Sequence, residues 1–225
     1  MMYGKASNGE KIKAVPGNST AVCPLCNTEL VKKCGSIKIW HWAHKSVTDC
    51  DPWAEPESDW HLEWKRTFEQ RGFVIEKIIG KHSADCVNET ERVVVELQNS
   101  SISNEEIAER TDFYRTNGYK MVWIFNAADW KIDLRLKECD IFTFRWKYPH
   151  RSLMSLFNPS VTCRAVIFDL GNEEWLRLIG TTHHMFEGME CPSFLFDVRK
   201  CYLDEDCVGG WGKFMELNEG GWKHA

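Results

Sequence analysis

No stretch of this chain stays apolar for the roughly 18 residues of a membrane-spanning helix, so no helical span is expected. The first fifteen residues, MMYGKASNGEKIKAV, lack the apolar block of a secretory signal. The cytoplasm is therefore the expected compartment. There is no internal repeat and no low-complexity segment. Positive charge is not in excess either. Lys and Arg number 28 against 33 Asp and Glu, for a net charge of −5. That excludes a globally basic nucleic-acid coat and leaves room only for a local basic patch. A hydrophobic content of 43% with 27% charged residues excludes a disordered chain. What is plentiful is cysteine, with ten, and tryptophan, with eleven. In a reducing compartment ten cysteines point to metal ligands or buried thiols more than to disulfides. At 225 residues the chain can bury one substantial core, with a small appendage, unaided by disulfides.

Three regions follow from composition: a Cys- and His-rich segment over 1–50, a core over 51–148 and a loop-rich region over 149–225. The core opens on Asp51-Pro-Trp-Ala-Glu-Pro-Glu-Ser58, whose prolines break regular structure and mark a linker or ordered arm. Ser58 or Asp59 can cap a helix running to about Arg71, with Gly72 at its end. Trp60, Trp64 and Phe68 form its apolar stripe, and His61 and Lys65 lie on a neighbouring face. Strands are predicted over 73–79, 82–88 and 91–98. On the third, Val93, Val95 and Leu97 share one face, and Val94, Glu96 and Gln98 the other. Ser103 caps a helix over 104–117, with Glu106 completing a capping box. Tyr119 to Asn126 reads as a strand buried on both faces. The order helix, three strands, helix, strand is an α/β core with a mixed sheet.

Polar residues of this core sit where chemistry would need them. Asp85 is on the middle strand, Glu96 and Gln98 project the same way from the next, and Glu57 and His61 stand at the start of the first helix. An Asp and a Glu on adjacent strands can hold a hard cation such as Mg²⁺ or Mn²⁺. A third polar group can orient water, and such a site hydrolyses phosphodiesters. The plain alternative puts Asp85 at an edge or turn and Glu96 with Gln98 on a solvated face. Burying Glu96 in an apolar strand without a partner would be costly. The metal reading requires Asp85 and Glu96 to share one pocket. An acid tied to an internal partner would count against it.

Cys23-x2-Cys26 and His41-x2-His44, separated by a hairpin-length insert, have the layout of a tetrahedral structural zinc site. The insert reads as a hairpin of 28–35 and 36–40 turning at Gly35. Cys50 and Cys34 are spare ligands. A rival set is Cys23, Cys26, His44 and Cys50, with His41 facing elsewhere. The alternative without metal packs both histidines between Trp40 and Trp42. Zinc would fold a segment too small for its own core. Cys191, Cys201 and Cys207 are irregularly spaced and read as buried thiols.

Residues 140–148 alternate, with Phe142, Phe144, Trp146 and Tyr148 on one face and Thr143, Arg145 and Lys147 on the other. This is an ordinary amphipathic strand, or a basic strand guiding a nucleic-acid backbone. Residues 164–180 read as a hairpin turning at Gly171-Asn172.

Several motifs in order resemble the competence protein CoiA-like family, whose core is similar to PD-(D/E)xK nucleases. They are Cys23-Pro-Leu-Cys26, His41-Trp-Ala-His44, Glu57-Ser-Asp-Trp-His61 with Trp64-Lys65, Ala84-Asp85, Glu96-Leu-Gln98-Asn-Ser100, then Arg110, Tyr114 and Trp123-Ile124. The resemblance implies a restriction-endonuclease-like αβββαβ core, a zinc-ribbon-like amino-terminal segment and a β-rich carboxy-terminal accessory. It matches Asp85 to the PD aspartate, Glu96 to the acid of (D/E)xK and Glu57 to a helix carboxylate of the metal shell. His61 becomes a general base, an outer ligand or a phosphate contact. Gln98 stands where the motif usually has lysine, and an amide cannot supply that charge. Lys65 is the nearest replacement. Ser100, Ser101, Arg110 and Arg115 would position phosphate, unless Arg110 simply pairs with Glu106 along the helix.

The expected function is a Mg²⁺- or Mn²⁺-dependent DNA nuclease acting in DNA uptake, recombination or mobile-element processing. DNA is the expected partner, single-stranded or branched forms included. A homodimer is raised by the habit of such nucleases of pairing to cut both strands. The alternatives are a zinc-containing nucleic-acid-binding module without catalysis, and a zinc-centred interaction protein.

Overall fold

The computed structural model describes residues 1–17, 19–37, 39–46, 50–129, 132–136, 141–146, 165–171, 175–178 and 191–196. Two compact units divide it, Met1–Val95 and Glu96–Ala225.

The first unit begins with short strands β1 (Tyr3–Lys5), β2 (Lys11–Lys13), β3 (Ala21–Val22), β4 (Glu29–Lys33) and β5 (His41–His44). They form an antiparallel sheet in the order β2-β1-β3-β4-β5. Its core is small: Ala14, Ala21, Cys23, Leu30 and Trp42, with Cys26, Cys34 and Cys50 packed against it. The expected hairpin exists with a different second arm. Residues 41–44, not 36–40, pair with β4, through Leu30↔His44 and Lys32↔Trp42. The reason is burial. Trp42 is 1% exposed in this core, whereas Ile37 is 92% exposed.

Helix α1 (Asp59–Glu69) starts at Ser58, whose Oγ accepts the His61 backbone N–H at 3.3 Å. Gly72, at φ +81°, closes it, because the reversal needs a left-handed residue. Phe73 N–H then returns to Phe68 C=O at 3.1 Å. The stripe of Trp64 and Phe68 is buried as expected, but so are His61 and Lys65. The polar face of α1 thus points inward too. Strands β6 (Val74–Ile79), β7 (His82–Asn88) and β8 (Val93–Gln98) form an antiparallel meander with Val74↔Val87 and Cys86↔Val95 in register.

The second unit contains α2 (Asn104–Thr116), capped by Ser103 Oγ on Glu106 N–H at 3.0 Å, and β9 (Lys120–Asn126), buried from Met121 to Phe125. Next come β10 (Ile132–Leu136), β11 (Ile141–Trp146), β12 (Ala165–Asp169), β13 (Trp175–Leu178) and β14 (Cys191–Phe196). β12 lies parallel to β9, through Val166↔Trp123 and Ile167↔Ile124, and the remaining pairs are antiparallel. The sheet is mixed, and strands of the carboxy-terminal region belong to it. The expected 164–180 hairpin is β12 paired with β13. Tyr148, Cys201, Cys207 and the facing of side chains along 141–146 lie outside the described residues. Among those residues no helix is long and apolar enough to cross a membrane.

Candidate active site and metal centre

β3 runs into a tight turn in which Cys23 N–H donates to Thr28 C=O at 2.8 Å and Asn27 N–H to Cys23 C=O at 2.9 Å. Asn27 takes φ +60°, a conformation asparagine tolerates. This turn presents Cys23 and Cys26 beside His44 from the end of β5, and Cys50 completes the group. The four ligand atoms lie within 4.8 Å of one another. Cys23 Sγ is 3.6 Å from Cys50 Sγ, and Cys26 Sγ is 3.4 Å from His44 Nε2. A zinc tetrahedron built from ordinary Zn–S and Zn–N bonds has edges of about 3.5–3.8 Å. The donor set and its spacing therefore fit zinc. Burial pushes the Cys23 and Cys50 thiols up. For Cys26, bonds to Thr28, Cys50 and His44 outweigh burial and bring it down to about 6.

His41 is not in the group. Three positions from His44 along a strand, it projects to the opposite face, and its Nδ1 bonds Ile39 C=O at 2.9 Å. The spacing H-x2-H would converge on a helix but cannot on a strand, so the ligand set Cys23, Cys26, His41, His44 is corrected to Cys23, Cys26, His44, Cys50.

The second cluster surrounds Lys65, which is 4% exposed. Its ammonium lies 3.0 Å from Glu57 Oε1, 3.0 Å from Glu76 Oε1 and 3.1 Å from Asp85 Oδ1. Burial alone would lower the Lys65 pKa, but the three carboxylates hold it well above the ordinary range. Burial alone would raise Glu57; Lys65 and the Met1 amino group, 2.6 Å away, bring it down to about 2. Glu76 is the residue sequence reasoning missed. It sits mid-strand with φ +51°, and the β6–β7 ladder skips its position between Ile75↔Cys86 and Lys77↔Ala84. That conformation costs on the order of 1–3 kcal/mol in a non-glycine residue. It turns the carboxylate to accept Met2 N–H at 2.6 Å and Tyr3 N–H at 3.0 Å as well as Lys65. The only sequence signal was an acid inside Val-Ile-Glu-Lys-Ile-Ile, where alternation leaves no place for it.

His61 is fixed from both sides. Nδ1 bonds Ser58 Oγ at 2.7 Å, and Nε2 is 3.1 Å from Glu55 Oε2. The arm carrying Glu55 and Glu57 is itself anchored: Asp51 accepts from His82 Nδ1 at 2.8 Å and Ser83 N–H at 2.9 Å, and Trp53 stacks on His82 at 3.2 Å.

In the second unit, Glu96 and Gln98 are each 3% exposed. The solvated-face alternative is therefore excluded. Glu96 Oε2 is 3.3 Å from Arg110 Nη1, and Oε1 accepts from Tyr114 OH at 3.0 Å. Arg110, 4% exposed, also pairs with Glu106 and lies 6.0 Å from the Trp123 ring centre. The helix pairing, not phosphate, accounts for Arg110. Gln98 Nε2 donates to Ser100 C=O at 3.1 Å.

Residues 5–52 match the family model for the competence protein CoiA amino-terminal domain, and residues 75–166 match the CoiA nuclease-like domain. The chain belongs to the CoiA family. It is 28% identical over 151 residues to the competence protein CoiA of Bacillus subtilis (strain 168), covering 59% of this chain and 39% of that protein. The chain thus spans about two fifths of that relative. No solved structure matches. The CoiA amino-terminal match contains all four members of the Cys/His cluster. The CoiA nuclease-like match contains Glu76, Asp85, Glu96 and Gln98, while Glu57, His61 and Lys65 fall between the two matched segments.

Proposed function

We propose that this chain is a zinc-stabilised, metal-dependent DNA nuclease of CoiA type, serving DNA uptake, recombination or mobile-element processing. The observation that carries the reading is the match of residues 75–166, which hold Asp85 and Glu96, to the CoiA nuclease-like domain; the ties of Asp85 and Glu57 to Lys65 count against it. Gathering two buried carboxylates and a part-buried one on one lysine is costly and adds nothing to packing.

Glu57, Asp85 and Glu96 are hard oxygen donors suited to Mg²⁺ or Mn²⁺. When bound, such an ion supplies Lewis-acid activation of a phosphodiester and of water. The carboxylates that would hold it are paired in this structure, Glu57 and Asp85 with Lys65 and Glu96 with Arg110. Lys65 supplies the positive charge that Gln98 cannot, and Gln98 orients water or phosphate through its amide. His61, held by Ser58 and Glu55, positions a phosphate or accepts a proton. Zinc at Cys23, Cys26, His44 and Cys50 holds the amino-terminal sheet. The domain division is 1–50, 51–148 and 149–225, and a homodimer would allow both strands to be cut.

One observation favours the second reading, a nucleic-acid-binding module without catalysis. Both Glu96 oxygens are already engaged by α2. One experiment separates the two. Purified protein is incubated with supercoiled, linear and single-stranded DNA, with and without Mn²⁺. Cleavage is expected only with metal, and Asp85→Asn with Glu96→Gln should slow it by about 100-fold or more. Cutting by that double variant at the parental rate ends the nuclease reading. Binding without nicking in any metal establishes the second.

A further inference from the structure

Residues 1–46 contain seven lysines and two glutamates, with no arginine or aspartate, in a chain of net charge −5. The amino-terminal sheet is thus a basic body in an acidic protein. Its two ends differ. The Cys/His cluster lies where β3 and β5 finish. The described parts of the loop joining β4 to β5, residues 34–37 and 39–40, lie at the other end, beyond the Lys33↔His41 pair. This loop carries Ile37, 92% exposed, and Trp40, 44% exposed, two of the four large hydrophobic residues exposed among the described residues.

Trp40 is exposed but not loose. Its indole N–H donates to Gly35 C=O at 3.0 Å, which pins the ring across the loop. Asp59 holds the loop base by accepting Ile39 N–H at 3.0 Å. Lys33 is exposed at the loop mouth, and Lys32 ties the 14–20 loop to the same end through Ser19 Oγ at 3.2 Å. No acidic residue occurs in sequence between Leu30 and Thr48. An apolar ring held in place, with Lys33 exposed at the adjoining strand end, suits a strand whose bases are unstacked, since every base offers a π-face and every phosphate a charge. A duplex would leave the ring unused.

We propose that the β4–β5 loop end of the amino-terminal sheet is a single-stranded DNA contact, with Trp40 as the base-stacking platform and Lys33 as a phosphate contact. It deepens the nuclease reading by naming where the strand is gripped, and it rests on that reading only for the choice of DNA.

The test is a titration of a dye-labelled single-stranded oligonucleotide with the full chain, without added divalent metal, at several salt concentrations. Trp40→Ala should weaken binding about tenfold, and Trp40→Phe should retain most of it. Lys33→Ala should reduce the slope of log affinity against log salt by about 0.7. Zinc per chain and the melting midpoint should stay parental, because both side chains are exposed. The proposal is overturned if the parent binds no single strand or if Trp40→Ala binds like the parent. It is equally overturned if Trp40→Ala turns a dimer into a monomer with DNA affinity unchanged, since the loop is then a contact between copies. A parent that binds through Trp40 but never cuts in Mn²⁺ sinks only the cleavage reading. A parent that cuts, with Trp40→Ala binding normally, sinks only this one.

Discussion

Replacing Lys65 with methionine is expected to destabilise the first unit by about 3–5 kcal/mol at pH 7, the cost of leaving a buried charge without its partner. Methionine keeps most of the length of the side chain, so the loss is electrostatic. Glu57, Glu76 and Asp85 would all lose the ammonium within 3.1 Å. The pH dependence should also flatten. In the parent, Glu57 is held at about 2, below its unfolded value. Its contribution is therefore fully present above about pH 4.5 and is lost as pH falls towards 2. In Lys65→Met, Glu57 keeps only the Met1 amino group, so its pKa is held down less and the stability lost as pH falls from about 4.5 towards 2 should shrink. Urea unfolding at about pH 5 and about pH 3 reads the change in slope directly. A variant as stable as the parent, with the same pH slope, would show that the ammonium does not hold this cluster. Lys65→Arg should recover only part of the loss, because a planar fork cannot reach three carboxylates as a compact ammonium does.

That cluster also shows where sequence stops being informative. Element order was legible because local rules govern it. Ser58 and Ser103 cap, Gly72 closes, and Val93 to Leu97 alternates between buried neighbours, and the structure follows each of them. The cysteines were legible as a metal site because their spacing is local. Choosing between His41 and Cys50 required knowing that 41–44 is a strand, and period two then decides it. Glu76 was not legible at all. Its role depends on a reversed φ and on backbone N–H groups of Met2 and Tyr3, more than seventy residues away in sequence. Glu96 is an intermediate case. Val-Val-Val-Glu-Leu-Gln marked a strand but left a solvated face open for Glu96, and its partners Arg110 and Tyr114 come from one face of α2, a pairing that tertiary packing alone sets.

Removal of zinc should have the other large effect, and it should reach beyond the zinc site. The core cluster of the amino-terminal sheet is small, with Ala14, Ala21, Cys23, Leu30 and Trp42 its buried members. A core so small cannot offset the chain entropy of some fifty residues, roughly 1–2 kcal/mol each. Structural zinc, with apparent binding free energies of about 10–16 kcal/mol in small zinc-folded peptides, can. The parent should therefore contain one zinc per chain and Cys26→Ser none, and in the variant amide protection over residues 1–46 should collapse. The consequence spreads because Cys50 adjoins Asp51, which grips His82 and Ser83 at the head of β7. The same arm delivers Glu55 to His61 and Glu57 to Lys65. From the other side, β1 docks on Glu76 through Met2 and Tyr3. Loss of zinc should thus release Glu57 and Glu76 from their fixed positions while leaving the α1–β7 packing formed. Hydrogen exchange should show protection lost over 1–58 and reduced at Glu76, but kept at Cys86 and Val87. Full protection over 1–46 in chelator-treated protein would mean that the sheet folds without metal and that Cys23, Cys26, His44 and Cys50 are no more than packed thiols and a histidine.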